Sequence, residues 1–167
     1  MALVDNIQAL RATGLRVAAQ VLPFAPVLAR RVFGQAFAQT GYGKLANFEA
    51  TTSFFQDLGI PAPAANAAFV GTVELLGGIC LLLGLGTRLA AFLLLGTMMV
   101  AILTAHRGEF VDALLWQGDK NLSGVLPVPF FVALVWLIGQ GPGRLAVDNV
   151  LGGNRRTVAV TSTIPAI

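Results

Sequence analysis

The chain has 167 residues, of which 56% are hydrophobic and only 11% charged, with a net charge of +3. Soluble domains average about 25% charged residues, so a chain this apolar, with a mean hydropathy of +0.76, cannot cover its surface in water and reads as one integral membrane domain. The basic residues form no block and no pattern with aromatic rings, so the charge does not point to nucleic acid.

In chain order, residues 1–20 read as a candidate N-terminal helix lying in the membrane interface, with sparse charges at Asp5, Arg11 and Arg16. They lack the basic start, short apolar core and small-residue cleavage site of a signal peptide. Four apolar segments of about 20 residues follow, each long enough to span a bilayer. They are expected over residues 21–42, 66–86, 88–106 and 122–140. Pro23 and Pro26 stand near the start of the first, and Pro127 and Pro129 in the first turns of the fourth. Proline costs little there, because those N–H groups have no intrahelical partner. "GLGTR" joins the second and third segments and demands a tight hairpin. The expected fold is therefore all-α, an integral membrane four-helix bundle. Its organisation is an N-terminal segment 1–20, a transmembrane domain 21–150 and a loose tail 151–167.

Four spans put both termini on one side. That side carries Arg11, Arg16, Arg88, Arg144, Arg155 and Arg156, against Lys44, Arg107 and Lys120 on the other. Six against three predicts cytoplasmic termini. The loops at 44–65 and 107–121 then face outward, with Glu49, Asp57, Glu109, Asp112, Asp119 and the aromatic Trp116.

Charges inside spans are the sharpest feature. Glu74 lies within the apolar run "FVGTVELLGGICLLLG", and Arg31 lies within the first span. At 1.5 Å per residue Arg31 is about 15 Å and Glu74 about 18 Å from the cytoplasmic edge. A lone mid-bilayer charge costs roughly 2.5–3.5 kcal/mol, so an Arg31–Glu74 ion pair is expected, with Arg30 or Lys44 as alternative partners. Such a pair either fixes helix register or, with Gln39 and Tyr42, lines a polar pocket for a ligand head group or a proton. Gly34 with Ala38, and Gly71 with Gly77 and Gly78, suit close helix contact.

Other chemistries fail on residue counts. One histidine, His106, cannot supply a pair of axial haem ligands, and the lone Cys80 excludes a disulfide relay and iron–sulfur ligation. No metal site, phosphate-cradling glycine loop or nucleophile–base–acid set can be drawn. His106 remains a candidate for proton handling, or an interfacial residue at the end of a helix.

The pieces "RRVFGQAFAQTGYGKLANFE", "LGIPAP", "VELLGGICLLLGLGTRLAA", "MMVAILTAH" and "GPGRLAVDN" follow in that order, and over about residues 21–150 the sequence resembles the DoxX family of small four-span bacterial membrane proteins. The resemblance maps onto Arg31, Gly34, Gly41, Lys44 and Leu45. It continues through Glu74, Gly77, Gly78, Gly84, Thr87 and Arg88 to Gly141, Pro142, Gly143, Arg144 and Asp148. Ala146 stands where the family often has serine. The resemblance implies a bacterial inner-membrane protein linked to redox, sulfur or oxidative-stress metabolism.

Two functions of different class fit. The first is a redox subunit holding a quinone near Arg31, Tyr42, Glu74 and His106, with electrons delivered by a partner protein. The second is a non-catalytic membrane anchor or assembly subunit, bound to a protein partner or to further copies of itself. A small-solute transporter is third.

Overall fold

The computed structural model describes residues 24–117, 119, 121–143 and 146–148. The candidate helix at 1–20, Arg144 and the tail at 151–167 lie outside these residues. Every regular element among the described residues is helical. In order they are α1 (Ala25–Ala46), α2 (Phe48–Asp57), α3 (Pro63–Leu83), α4 (Thr87–Leu103), α5 (Arg107–Leu114), a single 3₁₀ turn (Leu122–Gly124) and α6 (Pro127–Gln140).

Proline and glycine set the ends. Pro26, Pro63 and Pro127 occupy the first turns of α1, α3 and α6, where the missing N–H is not needed. α3 stops at Gly84, in the left-handed region at φ +71°. There the Leu85 N–H donates to Cys80 O at 2.9 Å and Gly84 N–H to Leu81 O at 3.1 Å. This is the closing pattern that glycine permits, and it makes the hairpin to α4 only three residues long.

Three expectations need correction. The first helix begins later and runs to Ala46, because Pro26 fixes its first turn. The segments 44–65 and 107–121, read as loops, each contain a helix. α2 is too short for a span and rests one face on the bundle through Phe55. α5 leaves α4 at an angle of 81°. The fourth span is also shorter than 122–140, because Asn121 caps a separate turn, its side-chain oxygen accepting from Gly124 N–H at 3.1 Å. The 14 residues of α6 rise only about 21 Å.

Among the described helices α3 alone has both the length and the apolarity to cross a membrane. α4 and α5 meet that measure only as a bent pair. α1 is long enough at 22 residues but carries Arg30, Arg31 and Lys44.

α1, α3, α4 and α6 pack around one core. The broadest contact is α1 on α3, followed by α4 on α6, while α3 also packs on α4 and α1 touches α6. Glycine makes the first contact possible. A Cβ on Gly34 would stand 2.9 Å from Gly78 O, and one on Gly78 2.7 Å from Gly34 O. Phe37, Leu81, Leu94, Leu134 and Leu137 fill the centre. Phe130 receives Phe33 and Phe37 edge-on, with ring centroids 5.2 and 5.3 Å away. Outward, the helices expose Leu28, Val32, Leu76, Leu89, Phe92 and Val132. An apolar surface this extensive suits lipid rather than water.

Candidate ligand cavity

The face that α1 turns to α3 carries Arg30, Gly34, Phe37, Gly41 and Lys44, spaced alternately by four and three residues. That spacing keeps all five on one side of a helix. A Cβ on Gly41 would overlap the backbone of Leu75 and Gly71, so the two helices touch main chain to main chain beside Glu74. Gly71, one turn before Glu74, leaves room for Leu45 and for the base of Lys44, whose Cβ would be 3.4 Å from a Cβ there.

Lys44 Nζ therefore donates to Glu74 Oε2 across this contact. Glu74 is 2% exposed, whereas the Lys44 side chain is 28% exposed. The lysine stem runs along apolar surface to bring its ammonium to the carboxylate. Thr51 of α2 ties down the end of α1, its hydroxyl lying 3.1 Å from Lys44 O and 3.0 Å from Asn47 O.

The ion pair forms part of the wall of a cavity of about 250 Å³ between α1, α2, α3, α4 and the start of α6. Phe37, Phe55, Val70, Met98 and Phe130 supply apolar wall. Thr97, Thr104 and Asn66 add polar groups. The hydroxyls of Thr97 in α4 and of Thr104 just past its end donate to helix carbonyls, Leu94 O at 2.8 Å and Val100 O at 2.7 Å, which leaves their lone pairs free to accept. His106 also lines the cavity. It stands at the bend between α4 and α5, with Nδ1 3.4 Å from Glu109 Oε2.

The cavity thus unites two of the five pocket residues expected from sequence, Glu74 and His106. Arg31, Gln39 and Tyr42 lie on the exposed face of α1, and none of them lines it. Glu74 meets Lys44, the alternative partner, instead of Arg31. Helix register is the reason. Gly34 already stands against Gly78 and Leu82, so Arg31 lies further along α3 than Leu82, two turns beyond Glu74. It is also one residue out of phase with the buried face. Sequence reasoning passed over Thr97 and Thr104, isolated hydroxyls in and just past an apolar helix.

Arg30 belongs to a second polar cluster, at the α3–α4 turn. It is 2% exposed, and its guanidinium lies directly under Gly84, where any Cβ would collide with it. Asp148 packs on the same turn. Its carboxylate accepts from Gly86 N–H at 2.6 Å and Thr87 N–H at 3.0 Å, while its own N–H donates to Gly84 O at 3.0 Å. The carboxylate caps α4 from a distant part of the chain. Ala146 is buried against Gly84, and Arg88 lies beside Gly141. Gly77 packs on Leu94. Arg30, Gly84 and Asp148 build the helix turn, and the Asp148 carboxylate is spent on its backbone N–H groups. Among the described residues no three histidine, cysteine or acidic side chains converge to hold a metal.

Residues 25–107, which contain α1 to α4 with Lys44, Glu74 and His106, match the DoxX family. Over this stretch the chain belongs to the DoxX family. It is 36% identical over 102 residues to an uncharacterized membrane protein of Mycobacterium tuberculosis, covering 58% of this chain and 62% of that one. The match therefore spans less than two thirds of that relative's length. The inner membrane protein YqjF of Escherichia coli is 24% identical over 127 residues, covering 75% of this chain and 90% of its own. A Bacillus subtilis protein provisionally named oxidoreductase CatD is 33% identical over 78 residues, covering 47% and 57%. No solved structure matches significantly. The composition, the exposed apolar helices and the family together identify a DoxX-family membrane protein.

Proposed function

We propose that this chain is a multi-pass inner-membrane subunit of a redox system, and that its cavity holds the ring of a lipid-soluble quinone. In this reading α1, α3, α4 and α6 all cross the bilayer, the termini are cytoplasmic, and the cavity lies in the outer half. The observation that carries the reading is the Lys44–Glu74 pair, its carboxylate buried, in the wall of an otherwise largely apolar cavity of about 250 Å³. Small-molecule sites have this character, mostly apolar with a few placed polar groups. A DoxX-like relative named for oxidoreductase activity supports the redox class.

The residues fit such a ligand. Phe55, Met98 and Phe130 offer apolar wall to a ring. Lys44 has three N–H donors; Glu74 uses one, and another can reach a carbonyl oxygen. A bound quinone would supply two-electron chemistry that the described side chains lack. Glu74 holds the Lys44 side chain in place, and His106 at the rim can carry protons between the cavity and the outer surface. Electrons come from a partner protein that carries its own redox group. The sulfur and oxidative-stress link is proposed on the family resemblance alone.

A membrane anchor is the second reading, favoured by the fact that Lys44 and Glu74 satisfy each other without a ligand. Extraction in mild detergent followed by mass spectrometry of bound lipids separates the two. Stoichiometric quinone, lost in Lys44→Met with the protein still folded, supports the redox subunit. Quinone-free protein with a tightly held polypeptide partner supports the anchor.

A further inference from the structure

α1 has a second face, and among the described residues nothing covers it. Gly34, Phe37, Gly41 and Lys44 face α3, while Arg31, Gln35, Gln39 and Tyr42 lie on the opposite side and are exposed. Tyr42 is 67% exposed. Spacings of four, four and three residues align them along the whole helix. Gly43 borders the same face, and a Cβ there would meet nothing within 4 Å.

If α1 crosses the bilayer, as proposed above, this stripe is in the wrong solvent. Gln35 is 10 residues beyond Ala25, about 15 Å into the helix, and Gln39 is seven residues before Ala46, about 10 Å from the other end. Their side chains are too short to reach water, and a polar group left unsatisfied in hydrocarbon costs several kcal/mol. Arg31 differs, being about 9 Å from the helix end, within reach of the head groups for a long flexible side chain.

The chemistry of the stripe selects its occupant. A carboxamide both donates and accepts, and so does a phenol. Two parallel helices related by a two-fold axis along the membrane normal bring each residue opposite its own copy at one depth. Amides satisfy each other in that arrangement, which is the self-complementarity a two-fold interface needs. The one charged member is the one that can withdraw to the head groups, and the open Gly43 lets the backbones approach. We propose that this face of α1 is the interface between two copies of the chain, joined in parallel through Gln35, Gln39 and Tyr42. The proposal rests on α1 being a span, but on neither the quinone nor the partner of the proposed function.

Cysteine cross-linking in native membranes tests it. With Cys80 replaced by alanine, Gln35→Cys and Gln39→Cys are expected to form disulfide-linked dimers on mild oxidation. Phe92→Cys, equally exposed on α4, is expected to stay monomeric. In a Tyr42→Cys background, changing Gln35 and Gln39 to leucine should lower the linked fraction by roughly fivefold. Equal linking at Phe92→Cys, or none along α1 while Gln39→Cys stays shielded from a water-soluble maleimide, overturns the dimer and leaves the span standing. Full labelling of Gln39→Cys by that maleimide overturns both. Linking that appears only after removal of residues 1–20 assigns the face to the chain's own N-terminal segment and overturns the dimer.

Discussion

Lys44 and Glu74 meet because Gly41 brings the backbone of α1 against the backbone of α3 at Leu75. The two charges are unequally placed, Glu74 deeply buried and Lys44 partly open. Removing one partner strands the other, and the deeper charge suffers more. Lys44→Met is therefore expected to lower stability by about 2–4 kcal/mol, and Glu74→Gln by less, since Lys44 can swing toward water. Lys44→Met combined with Glu74→Gln should cost less than the two single losses together, the coupling expected of a pair in contact. Thermal unfolding of the four proteins in one detergent reads this out, and additive losses would dissolve the pair.

The same glycine contact gives a contrast between positions. Gly41→Ala and Gly78→Ala each push a methyl into the backbone of the neighbouring helix and should cost about 1–3 kcal/mol or more. Gly96→Ala, in the middle of α4 with nothing within 4 Å of the new methyl, should leave stability unchanged or raise it slightly, because alanine is the better helix former. Equal losses at all three would mean that α1 and α3 are not in close contact.

Asp148 offers a test at the opposite end of the bundle. Asp148→Ala leaves the N–H groups of Gly86 and Thr87 without their acceptor and should cost about 0.5–2 kcal/mol. Asp148→Asn keeps an acceptor oxygen and should cost less. Hydrogen exchange at the first turn of α4 should speed up in the alanine variant while the α1–α3 contact stays protected. Unchanged exchange there would remove the cap from the account.

How far the sequence goes depends on which physical signal each feature leaves. The apolar runs of α3 and α4 and the hairpin between them were readable, because hydropathy and glycine are local signals. The buried Glu74 was readable for the same reason. Its partner was not, since choosing between Arg31 and Lys44 needs the register of α1 on α3. That register is set by Gly34 on Gly78 and Gly41 on Leu75, contacts between residues more than 30 positions apart. α2 and α5 were missed as helices because hydropathy looks for spans, and helices of 10 and 8 residues leave no long apolar run. The cap on α4 by Asp148 was beyond reach, its partners lying 61 and 62 residues earlier.

The angle of 81° between α4 and α5 has a consequence for Trp116. If α4 crosses the membrane, α5 lies nearly in the membrane plane, and the chain just past its end carries Trp116, 94% exposed at a positive φ of 59°. Leu114 and Leu115 beside it are also exposed. An indole prefers the head-group zone, where its ring is apolar and its N–H stays hydrated. In a Trp136→Phe background Trp116 is the sole tryptophan. Its fluorescence in liposomes should be quenched most by lipids brominated near the head group and least by those brominated at the chain end. Deep quenching would place α5 inside the bilayer, continuing α4 as one bent span. Emission typical of water with no quenching by either lipid would lift α5 off the membrane, and Trp116 would then be free to meet a soluble partner.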